Sequence, residues 1–274
     1  LLAGIYLNMN KYLTIFRLSW QQALTYRLNF LIWRLRSVIG FLTNYLFWLA
    51  IINHNPLIAS YNQSLLITYI FIAAFLRNLV LSNVSYSTSM EIANGDLSNY
   101  LLKPFNYFIN WFVRDIADKA LNLSFFIIEI FVLYLLLRPA IILPQSLLQF
   151  LAFILSGFLA VILYFFFSFL ISAFAFWYPE HNGWPLRFLF IMFSDIFSGA
   201  SIPLDIFPQA IIQLFKLLPF SYLIFYPNQI WLGRLDQNQL LSVFLIYIGW
   251  IMFFYFCLKL VWRRGLNNYG AYGR

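Results

Sequence analysis

Charge is scarce in this chain. Only 9% of its 274 residues are Asp, Glu, Lys or Arg, and nine are acidic, whereas soluble domains carry roughly 25% charged residues. Cysteine occurs once, at Cys257 within an apolar run. That excludes an internal disulfide and a cysteine metal cluster, and it reads as a small core residue. The chain lacks the GxxxxGK[S/T] phosphate loop of an ATPase. It has no haem or iron–sulfur pattern, and no nucleophile stands beside a base. The two histidines, His54 and His181, are expected on opposite sides of a membrane and cannot work together. Glu180 beside His181 does not make a metal site. Nothing at the start reads as a cleavable signal peptide.

What is present is oil. Hydrophobic residues make up 63% of the chain, Phe occurs 33 times, and the mean hydropathy is +0.79. A soluble fold would expose large apolar patches to water. The apolar runs are unbroken rather than alternating, which argues against a β-barrel. A helix satisfies its own backbone groups in lipid, so the expected fold is an all-α polytopic membrane protein. The formal net charge is +8, but the basic residues sit at the ends of apolar runs. There they set orientation and meet anionic head groups, and they do not indicate nucleic-acid binding.

Residues 8–29 mix Lys11, Arg17 and Arg27 with Tyr12, Ile15, Phe16 and Trp20. This pattern predicts an amphipathic helix in the membrane interface, with an extension of the first span as the alternative. Six spans are expected, over 30–52, 57–81, 120–137, 146–177, 186–202 and 239–261. Arg34 and Arg36 are expected to snorkel from the start of the first span. Asn53–Pro56 and the YPEHNGWP stretch are expected turns. Glu129 lies inside the third span, where a carboxylate must be paired, hydrated or protonated. It either lines a polar cavity or bonds to a neighbouring helix. Asp195 stands near the end of the fifth span. Pro203, Asp205, Pro208, Pro219 and Pro227 then break the chain around a half-length helix, a pattern that predicts a broken or re-entrant element over 203–234. Of the seventeen Lys and Arg, only Arg138, Lys216 and Arg234 fall on the outer side when both termini are cytoplasmic, and the positive-inside rule favours that orientation.

The longest polar interruption is Ser82–Lys119, far longer than a turn between two spans requires. A short helix is expected over Ser87–Asn94, ended by Gly95, with Asp96 capping the next short stretch. Lys103-Pro104 interrupts the chain, and a new helix begins at Asn106 or Tyr107, with Arg114 and Asp118 spaced to pair on one face. A structured loop on the cytosolic side is suited to receiving force from a partner.

These features together resemble the membrane-spanning subunit of ABC-2 type transporters, the exporter class. EIANGDLSNYLLKPFNYF (Glu91–Phe108) resembles the family's loop of acid, small residue, Gly, paired Leu, basic residue and Pro. SGASIPLDIFPQAIIQLFKLLPFSYLIFYPNQIWLG (Ser198–Gly233) resembles its Gly- and Pro-marked outer region of two re-entrant helices. WRRGLNNYGAYG (Trp262–Gly273) resembles a basic-Gly-Tyr-Gly tail of one branch.

The resemblance implies that Glu91, Gly95, Asp96, Leu97, Leu101, Lys103 and Pro104 couple to a cytosolic ATPase, with Glu91 and Asp96 free to pair with its basic residues. Lys11, Arg17, Trp20 and Arg27 belong to the interface helix, a second contact. Gly199, Pro203, Pro208 and Pro219 form an outer gate, and Glu129 and Asp195 are polar positions of the pathway. It also implies a non-enzymatic subunit without a cofactor or metal of its own, ATP and Mg being held by the partner. The partners are two ATPase subunits, a second identical or homologous permease, and lipids of the bacterial cytoplasmic (inner) membrane. Expected cargoes are lipids, glycolipids, polysaccharides, peptides or hydrophobic drugs. Other readings are an ion-coupled secondary transporter using Glu129 and Asp195, a lipid-modifying enzyme using Asp195 and Asp205, and a non-transporting anchor subunit.

Overall fold

The computed structural model describes residues 2–54, 57–181 and 183–270, without the side chains of 2–9 and 181. Asn55 and Pro56 of the first expected turn, Asn182 of the YPEHNGWP stretch, and residues 271–274 with the last basic residue, Arg274, lie outside the described residues. Eleven α-helices follow one another among those described: α1 (Leu2–Thr25), α2 (Arg27–His54), α3 (Gln63–Val80), α4 (Val84–Ala93), α5 (Leu97–Leu101), α6 (Tyr107–Leu137), α7 (Leu147–Ser172), α8 (Trp184–Phe197), α9 (Gln209–Leu217), α10 (Phe225–Trp231) and α11 (Gln237–Asn268). Short 3₁₀ turns cover Ala173–Phe176, Pro179–His181, Leu204–Ile206 and Pro219–Tyr222.

Local chemistry explains where the long helices begin. Asn62, Asn106 and Ser146 each accept a backbone N–H of the helix that comes next, from Leu65, Phe108 and Ile109, and Gln149 respectively. Asp236 and Gln239 form a reciprocal capping box at the start of α11. Each satisfies donors that a helix start otherwise leaves unpaired in lipid.

Among the described residues, five helical stretches are long and apolar enough to cross a membrane. A sixth arises if Gln209–Leu217 and Pro219–Trp231, bent by 77°, count as one. The buried side of α2 is one stripe, Arg34, Phe41, Tyr45, Trp48 and Ile52, at the spacing of a single helical face. On α6, Ile128, Phe131 and Leu136 are turned outward. Such surface is at home only in lipid, and the chain is an integral membrane protein.

Several boundaries differ from the sequence reading. The second apolar helix begins at Gln63 rather than residue 57, because Ile58 and Tyr61 close a tight turn by exchanging backbone hydrogen bonds of 3.1 and 2.9 Å. The helix expected from Asn106 or Tyr107 does begin at Tyr107, and it runs unbroken into the third apolar run, so the span expected from residue 120 is the later part of one helix. This helix has 31 residues, about 46 Å, longer than a hydrocarbon core of about 30 Å. Helix α8 has only 14 residues, about 21 Å, and stops at Phe197 where Gly199 turns left-handed.

Two cores result. The larger lies between α2, α3, α7, α10 and α11. The smaller gathers Val84, Ile92 and Leu97 of the loop after α3 with Tyr107, Phe169, Phe176 and Trp262.

Candidate functional site: the loop after α3 and the 205–234 segment

Helix α4 ends at Ala93, and Gly95 turns the chain with φ of 83°, a backbone state that costs glycine little. Asp96 does not cap α5, contrary to expectation. The turn is closed instead by the Gly95 carbonyl, which accepts from the backbone N–H (3.3 Å) and hydroxyl (2.7 Å) of Ser98. Asp96 remains exposed, while Leu97 is fully buried. Past α5 the chain presents an outward corner of Leu101, Leu102, Lys103 and Pro104. Leu102 is 86% exposed; it is the second leucine of the pair in the loop motif but is not among the residues expected to couple.

Glu91 is not free, as the sequence reading expected, but internally held. Its Oε2 accepts from the Tyr107 hydroxyl at 2.7 Å and from Trp111 Nε1 at 2.9 Å, and Arg114 lies 3.7 Å from Oε1. The carboxylate therefore fastens α4 to the start of α6. Arg114 also turns to Glu91 and to the rings of Tyr100 and Trp111, and not to Asp118 as its spacing allowed. Asp115 and Lys119 form the i,i+4 pair, at 2.5 Å and buried. Helix α1 packs on this stretch of α6, and Trp20 Nε1 donates to the Ala117 carbonyl at 2.7 Å. Lys11, Arg17 and Arg27 stay exposed.

The loop is bound to the ends of two long helices. Trp262 of α11 stacks on Tyr107 with ring centroids 5.4 Å apart and meets Phe176 at 5.1 Å. Gly265 lies so close to Phe176 that a Cβ there would stand 2.7 Å from Phe176 Cγ. Phe169, at the end of α7, touches Tyr107 and Phe108.

Within the apolar helices, ion pairs join Arg34 to Glu129 and Arg77 to Asp195. Arg34 does not snorkel. It is 5% exposed and bonds Glu129 through Nε at 2.7 Å and through Nη2, and Asn78 through Nη1 at 3.1 Å. Glu129 thus bonds to a neighbouring helix, α2. Arg36 lies over the Trp33 ring. Asp195 of α8 pairs with Arg77 of α3 at 2.7 Å, both partly exposed.

At the other end of the long helices, the segment from Asp205 to Arg234 begins and ends at one point. Arg234 Nη1 donates to Asp205 Oδ2 at 2.9 Å, and its guanidinium lies 4.3 Å over the Tyr61 ring. The Tyr61 hydroxyl donates to Asp205 at 3.0 Å and accepts from Gln229 Nε2 at 2.7 Å. Burial lifts the Asp205 carboxyl above its ordinary range, against the pull of Arg234. Pro203, Pro208 and Pro219 each precede or open a short helix. The Gly199 carbonyl accepts from the Tyr69 hydroxyl at 2.6 Å. Asn228 Nδ2 donates to the Tyr69 carbonyl at 2.9 Å, and Gln149 Nε2 to the carbonyls of Ile230 and Trp231 at 3.1 and 2.7 Å. The Tyr247 hydroxyl of α11 donates to the Tyr222 carbonyl. Asn228 and Gln229, two amides in an apolar stretch, were the overlooked signal.

A family model described as ABC-2 family transporter protein matches residues 38–273. No curated protein matches the chain.

Proposed function

The chain belongs to the ABC-2 transporter family, and from that premise we propose that it is the permease subunit of an ATP-driven exporter. The hydrolysis takes place on a separate cytosolic ATPase, which holds ATP and Mg. Two permease subunits, identical or homologous, form the pathway in a bacterial cytoplasmic membrane, with both termini inside. The cargo is amphipathic or apolar: a lipid, glycolipid, polysaccharide, peptide or hydrophobic drug.

The observation that carries this reading is the loop from α4 to α6. It is packed like a small domain, yet its corner leaves Leu102 86% exposed between Asp96 and Lys103. An exposed apolar side chain beside an exposed lysine, on a packed support, suits a cleft in a protein partner. Glu91 positions that corner rather than touching the partner. Asp96, Leu101, Leu102, Lys103 and Pro104 make the contact. Helix α1, held by Trp20, moves with the same unit.

Motion of the loop has a path to the far side. Helices α7 and α11 pack along each other. Their inner ends grip the loop through Phe169 and Trp262, and their outer ends grip the 205–234 segment through Gln149 and Tyr247. We read that segment as re-entrant, because a chain whose two ends meet at 2.9 Å enters and leaves on one side. Gly199 and the three prolines set its hinges. ATP-driven closure then swings the α7–α11 pair and shifts the hairpin, a rigid-body switch without covalent chemistry in this chain. Glu129 and Asp195 are each salt-bridged, which favours this reading over ion coupling through free carboxylates.

The test is co-purification in detergent with an ATPase carrying a phosphate loop, followed by ATPase and transport assays. L102D and K103E should abolish association. A chain that purifies alone, and whose membranes move cargo with ATP hydrolysis blocked, would overturn the proposal.

A further inference from the structure

Among the described residues two arginines, Arg34 and Arg187, are buried below a tenth of their surface, and they are treated very differently. Arg34 has Glu129 and Asn78. Arg187, on α8, is 4% exposed, has no carboxylate within 4 Å among the described residues, and its Nη1 has no hydrogen-bond partner. An unpartnered donor on a covered cation is expensive, more so than a neutral one. The two ring contacts it makes, with Tyr86 at 4.6 Å and Trp184 at 5.2 Å, shield the guanidinium without accepting its protons.

The surroundings point to an anion. Arg187 stands in the first turn of α8, whose start at Gly183 has no side-chain cap and carries a proline. A helix start favours negative charge, and a side chain four residues in leans back toward that end. The cover is thin, for Tyr86 is 50% exposed and Trp184 53%. Trp177 and Tyr178 are exposed at the same end of the molecule. Exposed Trp and Tyr collected at the end of apolar helices mark head-group depth. Beyond Arg187, α8 presents Phe188, Ile191 and Met192 outward, a surface for acyl chains.

We infer that Arg187 holds the phosphate of an anionic phospholipid of the cytosolic leaflet, with Tyr86 and Trp184 parting around the head group. The bound lipid joins α4, the start of the cytosolic loop, to α8, which leads to the outer hairpin. This site depends on the loop side being cytosolic, and on no assumption about the cargo.

The test uses the full chain in nanodiscs of phosphatidylcholine, with or without phosphatidylglycerol. Thermal unfolding is followed, and retained lipid is counted by native mass spectrometry. Phosphatidylglycerol should raise the melting temperature of the wild type. R187Q should bind it about fivefold more weakly and lose the rise, and R187K should keep part of it. R36Q, altering an exposed arginine, should respond like the wild type. If R187Q does not fold, R187K and W184A carry the comparison, each with fewer retained phosphatidylglycerol molecules. An equal response in R187Q or, failing that variant, in both R187K and W184A overturns the inference. So does inorganic phosphate alone reproducing the shift, or loss of assembly with a partner protein irrespective of lipid, since the anion would then be free phosphate or a partner's carboxylate.

Discussion

Replacing Glu91 by alanine should free the loop from α6. The carboxylate is about one-seventh exposed and receives two good hydrogen bonds, from Tyr107 at 2.7 Å and Trp111 at 2.9 Å. Bonds to a charged acceptor contribute roughly 1.5–3 kcal/mol each. The Arg114 pair at 3.7 Å is partly exposed and adds under about 1 kcal/mol. Removing the acceptor also leaves the Tyr107 hydroxyl and the Trp111 N–H without a partner in a packed core. The sum is roughly 3–7 kcal/mol of attachment. The assay is amide exchange across 84–101 in detergent. E91A should speed exchange there at least about a hundredfold, with α3 and α7 unchanged. E91Q keeps an acceptor and should lie between. Association with the ATPase should weaken only in proportion to that loosening. If E91A and E91Q left exchange untouched while abolishing ATPase association, the internal-latch reasoning would be refuted, and Glu91 would be a contact residue.

Other outcomes rest on single contacts. G265A places a methyl against Phe176 and should cost about 1–3 kcal/mol by overpacking, read as a lower melting temperature together with ATPase activity that no longer tracks transport. G199A meets both a left-handed φ of 81° and the Tyr69 hydroxyl, so it should destabilise by about 1–3 kcal/mol and raise proteolysis of 198–208. W20F removes the 2.7 Å bond to Ala117 and should lower stability by about 1 kcal/mol, seen as faster exchange in α1. Asp205 has its pKa raised by burial. Its contribution is therefore fully present below the ordinary carboxylate pKa and is lost as pH rises through the folded value. Lowering the pH from neutral toward that range should raise the melting temperature of the wild type relative to D205N, and a fall would contradict the shift.

The apolar runs, the proline breaks and the start of α6 at Asn106 were legible in the residues themselves, whereas the cap expected of Asp96 is not made. Asn106, Ser146 and Asp236 start helices because each satisfies a backbone donor a few residues away, and Pro203, Pro208 and Pro219 interrupt them because proline lacks one. Such rules act within a turn of helix, so a linear sequence contains them. The family resemblance, too, rested on this ordered set of local signals. Charge was different. Arg34 read as a surface anchor, Glu91 as a free contact, and Arg114 as a partner for Asp118. In the folded chain they go to Glu129, to Tyr107 and Trp111, and to Glu91. Burial makes pairing obligatory, because an unpaired ion in a low-dielectric interior is costly, but it does not name the partner. That choice depends on which helix faces bring side chains together, as with Arg34 and Glu129 across 95 positions of sequence. Residue chemistry required that these polar groups find partners, and it marked the breaks between apolar elements. Tertiary packing chose the partners, because only the packed helices bring distant faces into contact, and it left Arg187 Nη1 without one among the described residues.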